Sequence, residues 1–291
     1  GYAFFSTMPT STTAVGDLPL PNDYKISIRD EFTVILSGAK EGIFDLSVKL
    51  DGTMLFPEIG SISVVGETFG QVKEKISNLV NQSYIGVQVD LSIKNLSAKK
   101  ITIVGAVKTP GTYLVNPFST ISSSLAYSGG VSEIGTLREI KLIRTNGETF
   151  IFDLYDLLIF GDRSNDLTIE AGDTILINAA RQFTELGGAV NRPAIYEILD
   201  TDKLEDIITY GLGFKNTSNK TKISVSKVDL VKNKINQEET RDLSELIDGA
   251  ISVNVFDFLN EENSNILVRG AVSEPGYYNL DEYRTLEDLI D

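Results

Sequence analysis

One nine-residue pattern, G-A-V-x-x-P-[GA]-x-Y, occurs three times, at Gly105–Tyr113, Gly188–Tyr196 and Gly270–Tyr278. The copies begin 83 residues apart (188 − 105) and then 82 apart (270 − 188). Solenoid repeats have shorter periods, of ~20–50 residues, so this spacing implies duplicated whole modules in a row.

Each copy reads as one supersecondary unit. An apolar strand such as Ile101 to Val107 meets a proline turn and then a second strand. Pro110-Gly111 and Pro275-Gly276 predict type II turns, with glycine supplying positive φ at the third position. Pro193-Ala194 departs from that chemistry. A short helix follows, with Thr120, Thr201 and Thr285 at the expected N-caps and a Thr285/Asp288 capping box. Gly129-Gly130 and Gly211 are the expected stops of the first two helices. In the first copy, Glu139 to Arg144 and Glu148 to Phe152 flank Asn146-Gly147, a type I′ hairpin signal. Asp153 to Phe160 predicts a short helix with Leu154, Leu157 and Leu158 on one face. Leu167 to Ile169, the Ala171-Gly172 turn and Thr174 to Asn178 close the module. A hairpin, a crossing helix and further strands describe a β-grasp-like unit. The second copy carries a polar insertion, Lys232 to Asp242, expected to be a loop. The third reaches Asp291 inside its helix and reads as the start of a further module.

The first 96 residues have a different pattern. Glu31 to Ser37 alternates Phe32, Val34 and Leu36 against Thr33 and Ile35, which predicts a strand. Val48 to Leu50 and Thr53 to Phe56 flank Asp51-Gly52 as a second type I′ hairpin, and Pro57 to Gly60 is expected to leave the sheet. Thr68 caps a helix to about Gln82, with Val72, Ile76, Leu79 and Val80 on its buried face. Tyr84 to Ile93 alternates as a strand. The expected fold class is α+β and multi-domain, a small module followed by tandem β-grasp-like modules. The expected domains are 1–96, 97–181, 182–265 and a partial third unit at 266–291.

Composition excludes several functions. The 291 residues include 41 acidic and 26 basic side chains, a formal charge of −15. That balance argues against a nucleic-acid partner, which needs clustered cations, and against anionic membrane surfaces. Cysteine and histidine are absent, which removes disulfides, thiolate and histidine metal sites, and the Ser-His-Asp triad. No cofactor or metal site is expected. Gly161 to Asp166 holds scattered oxygen ligands without EF-hand spacing. Carboxylate pairs such as Asp153/Asp156 and Asp202/Glu205 keep a glycoside hydrolase as an alternative, although capping or solvated roles suit such pairs better.

The order Tyr24-Lys25-Ile26, Asp30, Asp51-Gly52-Thr53, Phe56-Pro57-Glu58-Ile59-Gly60 and Val65-Gly66-Glu67-Thr68 resembles the export module of bacterial capsule and exopolysaccharide exporters. The G-A-V-x-x-P-G-x-Y copies, Gly129-Gly130 and Glu170-Ala171-Gly172-Asp173 resemble the soluble-ligand-binding β-grasp (SLBB) domains that follow it. Arg29 departs from the family's usual glycine before the aspartate, and Asp248-Gly249 reverses the late turn in the second copy. Many relatives carry an N-terminal lipidated cysteine, and this sequence has none. The resemblance implies a non-enzymatic protein on the periplasmic side of the outer membrane. Its implied partners are a polysaccharide, further copies of itself in a ring around a pore, and an inner-membrane polysaccharide co-polymerase. Outer-membrane contact would come through parts beyond this chain. A carbohydrate-binding adaptor is the other non-enzymatic reading.

The hairpin tips Lys108, Thr109, Asn191, Arg192, Ser273 and Glu274 are the candidate polymer or subunit contacts. Gly105, Gly188 and Gly270 are expected to permit close packing or a strand bend. Tyr113, Tyr196 and Tyr278 are expected in the core or on a sheet face rather than as sugar platforms.

Overall fold

A computed structural model describes residues 2–8, 10, 21–229, 232–258, 265–270 and 276–279. The chain is α+β and divides into two compact units, Gly1–Ala179 and Ala180–Asp291.

The first unit opens with a three-stranded antiparallel sheet. Its order is β2 (Gly42–Ser47), β1 (Glu31–Gly38), then β5 (Val87–Asn95). The predicted alternation holds: Phe32, Val34 and Leu36 are buried, whereas Ile35 is exposed. A separate hairpin joins β3 (Thr53–Phe56) to β4 (Gly60–Ser63). Helix α1 (Phe69–Ser83) starts at Thr68, whose side chain accepts the Gln71 N–H while Gln71 Oε1 accepts the Thr68 N–H. Its Phe69, Val72, Ile76 and Val80 face a core with Phe32, Val34, Met54 and Phe56.

Local chemistry corrects several expectations here. Pro57 to Gly60 is the tip of the β3–β4 hairpin and does not leave the sheet, because Phe56 pairs with Gly60. Asp51-Gly52 and Asn146-Gly147 are not type I′ turns, since glycine alone has positive φ in each pair. Each closes a 1→4 hydrogen bond, Gly52 N–H to Lys49 O and Gly147 N–H to Arg144 O. The Asx side chain then accepts the N–H two residues on, Thr53 or Glu148, both at 3.0 Å. That is a type I turn followed by a left-handed glycine, the three-residue hairpin loop. The expected Val48–Leu50 strand shrinks to a single bridge, Val48 with Met54. The fifth strand starts at Val87 rather than Tyr84, after a turn through Gly86.

A five-stranded mixed sheet completes the first unit. It comprises β6 (Lys99–Gly105), β7 (Gly111–Val115), β8 (Ile140–Ile143), β9 (Thr149–Phe152) and β10 (Thr174–Ile177), in the order β7-β6-β10-β8-β9. The central β10 runs parallel to β6 and antiparallel to β8. Helix α2 (Ile121–Leu125) is capped by Thr120 and runs into a 3-10 turn, Ala126–Ser128, that stops at Gly129, φ +76°. Asp153 to Phe160 forms a turn with a π segment at Asp156–Phe160. Leu154 is buried there, and Leu157 and Leu158 are half-buried. Leu167 to Ile169 supplies one bridge, Thr168 with Thr120, and no strand.

The second unit contains a sheet of the same order and sense. Strands β11 (Phe183–Gly188), β12 (Ala194–Glu197), β13 (Ser218–Asp229), β14 (Lys234–Thr240) and β15 (Ala250–Asp257) run β12-β11-β15-β13-β14. The β11–β15 pair is parallel. Lys234–Thr240, expected as loop, is an edge strand paired with β13. Its charged, exposed side chains suit an edge that must not recruit another strand. Helix α3 (Leu204–Tyr210) starts at Lys203, not Thr201, and Asp206 Oδ2 accepts the Lys203 N–H at 2.8 Å. In the third copy, β16 (Asn265–Val268) and β17 (Gly276–Asn279) pair antiparallel, as the hairpin expectation requires. Its turn and the expected helix from Thr285 lie outside the described residues.

The repeated pattern has a physical cause different from the expected turn. Gly111 sits at the start of β7 without positive φ; the left-handed residue is the leading glycine, Gly105 at +91° and Gly188 at +78°. A Cβ on either would lie 2.0 Å from a backbone oxygen of the parallel partner strand, Ile177 O or Val255 O. The pattern's tyrosine clamps the tip. Tyr113 donates its hydroxyl to Thr109 O and Tyr196 donates to Arg192 O, in each case four residues back.

Candidate functional site

The hairpin tips are held from below in the same way in both sheets. Lys108 and Thr109 donate their N–H groups to Gly130 O and Ser128 O. Asn191 and Arg192 donate theirs to Gly213 O and Gly211 O. Glycines after each helix leave those carbonyls open to the tip. The side chains then diverge. Asn191 Nδ2 reaches Leu212 O, and Arg192 reaches Tyr210 O at 2.7 Å and the Tyr196 hydroxyl. Lys108 and Thr109 are exposed. The first tip belongs to the first unit and the second tip to the second, and Ser273 and Glu274 lie outside the described residues.

One member of each suggested carboxylate pair serves the fold. Asp153 accepts from Arg138 Nε at 3.0 Å and from the Tyr155 N–H at 2.8 Å. Burial pushes its carboxyl up. Asp202 is buried and accepts the Leu199 N–H. Asp166 accepts from Thr120 Oγ1 and from the N–H and hydroxyl of Ser122, at the start of α2.

A more organised site lies inside the first unit, where the export-like module meets the first repeat. The turn Ser27-Ile28-Arg29-Asp30 closes with Asp30 N–H on Ser27 O, and Arg29 holds φ +71°. Asp30 is fully buried. Its Oδ2 accepts from the Tyr24 hydroxyl at 3.0 Å and the Ser27 N–H at 2.8 Å. Its Oδ1 accepts from the N–H and hydroxyl of Ser97, at 2.9 and 3.0 Å. Burial pushes the Asp30 carboxyl up while these donors pull the other way, and burial also raises the Tyr24 phenol. The carboxylate thus ties the turn to the segment leading into β6.

Lys99 stands beside this network. Its Nζ donates to Ile169 O at 2.8 Å and lies 5.1 Å from the Tyr24 ring centroid. Burial pushes its ammonium down to about 8. Glu170 opens the turn to Asp173, which accepts the Glu170 N–H and pairs with Arg144. Lys25 meets Glu170 across the junction at 2.8 Å. Above these groups is a cleft of about 620 Å³, lined by Lys25, Arg29, Lys99, Lys100 and Glu170 with apolar walls from Ile28, Leu50, Val65 and Leu114. Its volume is that of a small-ligand pocket, ~300–1,000 Å³.

Sequence reasoning missed this cleft. Two signals could have found it: Arg29 in place of a glycine, and Lys99-Lys100 at the module boundary of an acidic chain. Among the described residues no three His, Cys, Asp or Glu side chains form a metal-holding group.

The lowered Lys99 ammonium has a measurable consequence. Between pH 8 and about 10 the unfolded chain keeps the Lys99 proton and the folded chain gives it up, so stability rises with pH. The gain is about 2 kcal/mol from this group, before Tyr24 opposes it above pH 10. Urea unfolding followed by circular dichroism at pH 8 and 9.5 checks this against Lys99→Met. The slope is expected in the parent and reduced in the variant; equal slopes would refute it.

Known proteins resemble part of the chain. Residues 18–94 match the polysaccharide biosynthesis/export protein family, and residues 100–153 match the SLBB domain. The polysialic acid transport protein KpsD of Escherichia coli is 28% identical over 191 residues, 64% of this chain and 33% of the relative. The capsule polysaccharide export protein BexD of Haemophilus influenzae is 26% identical over 148 residues, 50% of this chain and 36% of the relative. The EPS I polysaccharide export outer membrane protein EpsA of Ralstonia solanacearum is 24% identical over 132 residues, 45% and 35%. The chain spans about a third of the length of these curated relatives. The two matches stand in sequence along the chain, a segment similar to the polysaccharide biosynthesis/export family followed by a segment similar to the SLBB domain.

Proposed function

We propose that this chain is part of an apparatus that passes capsular or exopolysaccharide out of the cell envelope. It acts on the periplasmic side of the outer membrane as a scaffold and not as a catalyst. The observation that carries the reading is the order of the matched modules along the chain, 18–94 and then 100–153. The second sheet, with the strand order of the first, is read as a further SLBB-like domain over 182–265. In the assembled state, copies of the protein surround the path of the polymer as a ring. A polysaccharide co-polymerase of the inner membrane delivers the polymer. Lys108 and Thr109, exposed at the first tip, are proposed subunit or polymer contacts.

Deleting the gene and measuring surface polysaccharide tests the role. Loss of surface polymer, restored by the intact gene, is expected; unchanged surface polymer would overturn it. Electron microscopy of the full-length protein in detergent tests assembly. Closed rings are expected, and dispersed monomers would remove the ring from the proposal.

A further inference from the structure

The cleft at the module junction is chemically unlike the rest of the chain. The protein carries −15, yet the charged groups lining this cleft are four cations and one carboxylate. Two cations are engaged, Lys25 with Glu170 and Lys99 with Ile169 O. Among the described residues, the exposed Arg29 and Lys100 have no ion-pair partner. Their charge is therefore open to solvent beside exposed Ile28, Leu50, Val65 and Leu114.

Arg29 adds a second observation. Its φ of +71° is left-handed, a region that glycine occupies without cost and arginine does not. The turn is held by the Arg29 N–H on Val48 O and by the four donors on Asp30. A strained side chain on an over-determined turn is a device for placing a group at a ligand.

We propose that this cleft binds acidic sugar units of the exported polymer, with Arg29 and Lys100 meeting the acid group and the apolar walls meeting the C–H faces of the ring. This rests on reading the chain as an export protein and adds the chemical class of the polymer. A carboxylate matches the guanidinium fork with two parallel hydrogen bonds, and sugar acids carry it ionised at neutral pH. Contact is weak by construction, because both cations are exposed and the surrounding chain is acidic. A polymer held so would be guided and released.

Titration calorimetry of the whole chain tests the proposal with three probes: a short oligogalacturonate, with a carboxylate on every ring, neutral maltoheptaose, and inorganic phosphate. Oligogalacturonate is expected to bind, less tightly as salt rises. Arg29→Gly and Lys100→Gln are each expected to weaken it by about fivefold. Arg29→Gly relieves the backbone and is expected to melt no lower than the parent, so lost binding would not reflect lost folding. Three results would overturn the proposal. Equal binding of maltoheptaose removes the acidic class. Unchanged oligogalacturonate affinity in the double variant removes the cleft. Phosphate binding as tightly as the oligomer makes this a free-anion site. Each of these leaves the export role intact, since that role stands or falls with the deletion strain.

Discussion

Gly188→Ala is expected to destabilise the second unit by about 3–5 kcal/mol, in the extreme tail for one added methyl group. The new Cβ would sit 2.0 Å from Val255 O and 2.9 Å from the Val255 carbonyl carbon. That oxygen already accepts the Ala189 N–H at 2.8 Å, and Val255 is the parallel partner of Gly188 itself. Relief therefore requires separating β11 from β15 at the centre of the sheet. The φ of +78° adds strain of ~1–2 kcal/mol for any L side chain. Gly213→Ala provides the control in the same unit. Its φ is +80°, but nothing lies within 4 Å of an added Cβ, so it pays the strain without the clash. Native-state hydrogen exchange at β11 and β15 reads the second unit alone, which a whole-chain melt of two units does not. If the two variants fall within about 1 kcal/mol of each other, the close approach does not explain the glycine. Gly105→Ala should behave like Gly188→Ala, since its Cβ meets Ile177 O at the same 2.0 Å.

The same glycines explain what was legible in the sequence. In the first two copies the G-A-V pattern marks a place where two backbones nearly touch, and such a place admits one residue type, so the glycine stands out in both. The α1 cap and its apolar stripe were legible because both are local, set by residues three or four apart. The expected type II turn at Pro110-Gly111 failed because two glycines compete for the left-handed role, and the parallel strand at Ile177, far along the chain, decides between them. Strand β14 was hidden by its own chemistry. An edge strand rich in Lys, Glu and Gln looks like a loop until its partner β13 is known. The cleft was illegible for a similar reason. Arg29, Lys100 and Glu170 are separated by as many as 141 residues (170 − 29), and their meeting depends on how one module docks on the next.

That docking rests on Asp30, and Asp30→Ala is expected to cost the first unit about 3–5 kcal/mol. All four of its partners donate, two to each oxygen. Alanine leaves two backbone N–H groups, of Ser27 and Ser97, without their acceptor. The Tyr24 and Ser97 hydroxyls can rotate to other partners, but those N–H groups cannot turn. Asn is the informative second variant. Its single oxygen serves one side, and its NH₂ then faces a donor on the other, Ser27 N–H or Ser97 N–H. Asn is therefore expected to recover less than half of the alanine loss, despite matching Asp in shape. Hydrogen exchange localises the effect: protection should fall at Ser27 and Ser97 and along β6, with the second unit unchanged. If Asp30→Asn matched the parent in stability, the carboxylate would be replaceable by any acceptor of its size, and the turn that presents Arg29 would owe its geometry to packing instead.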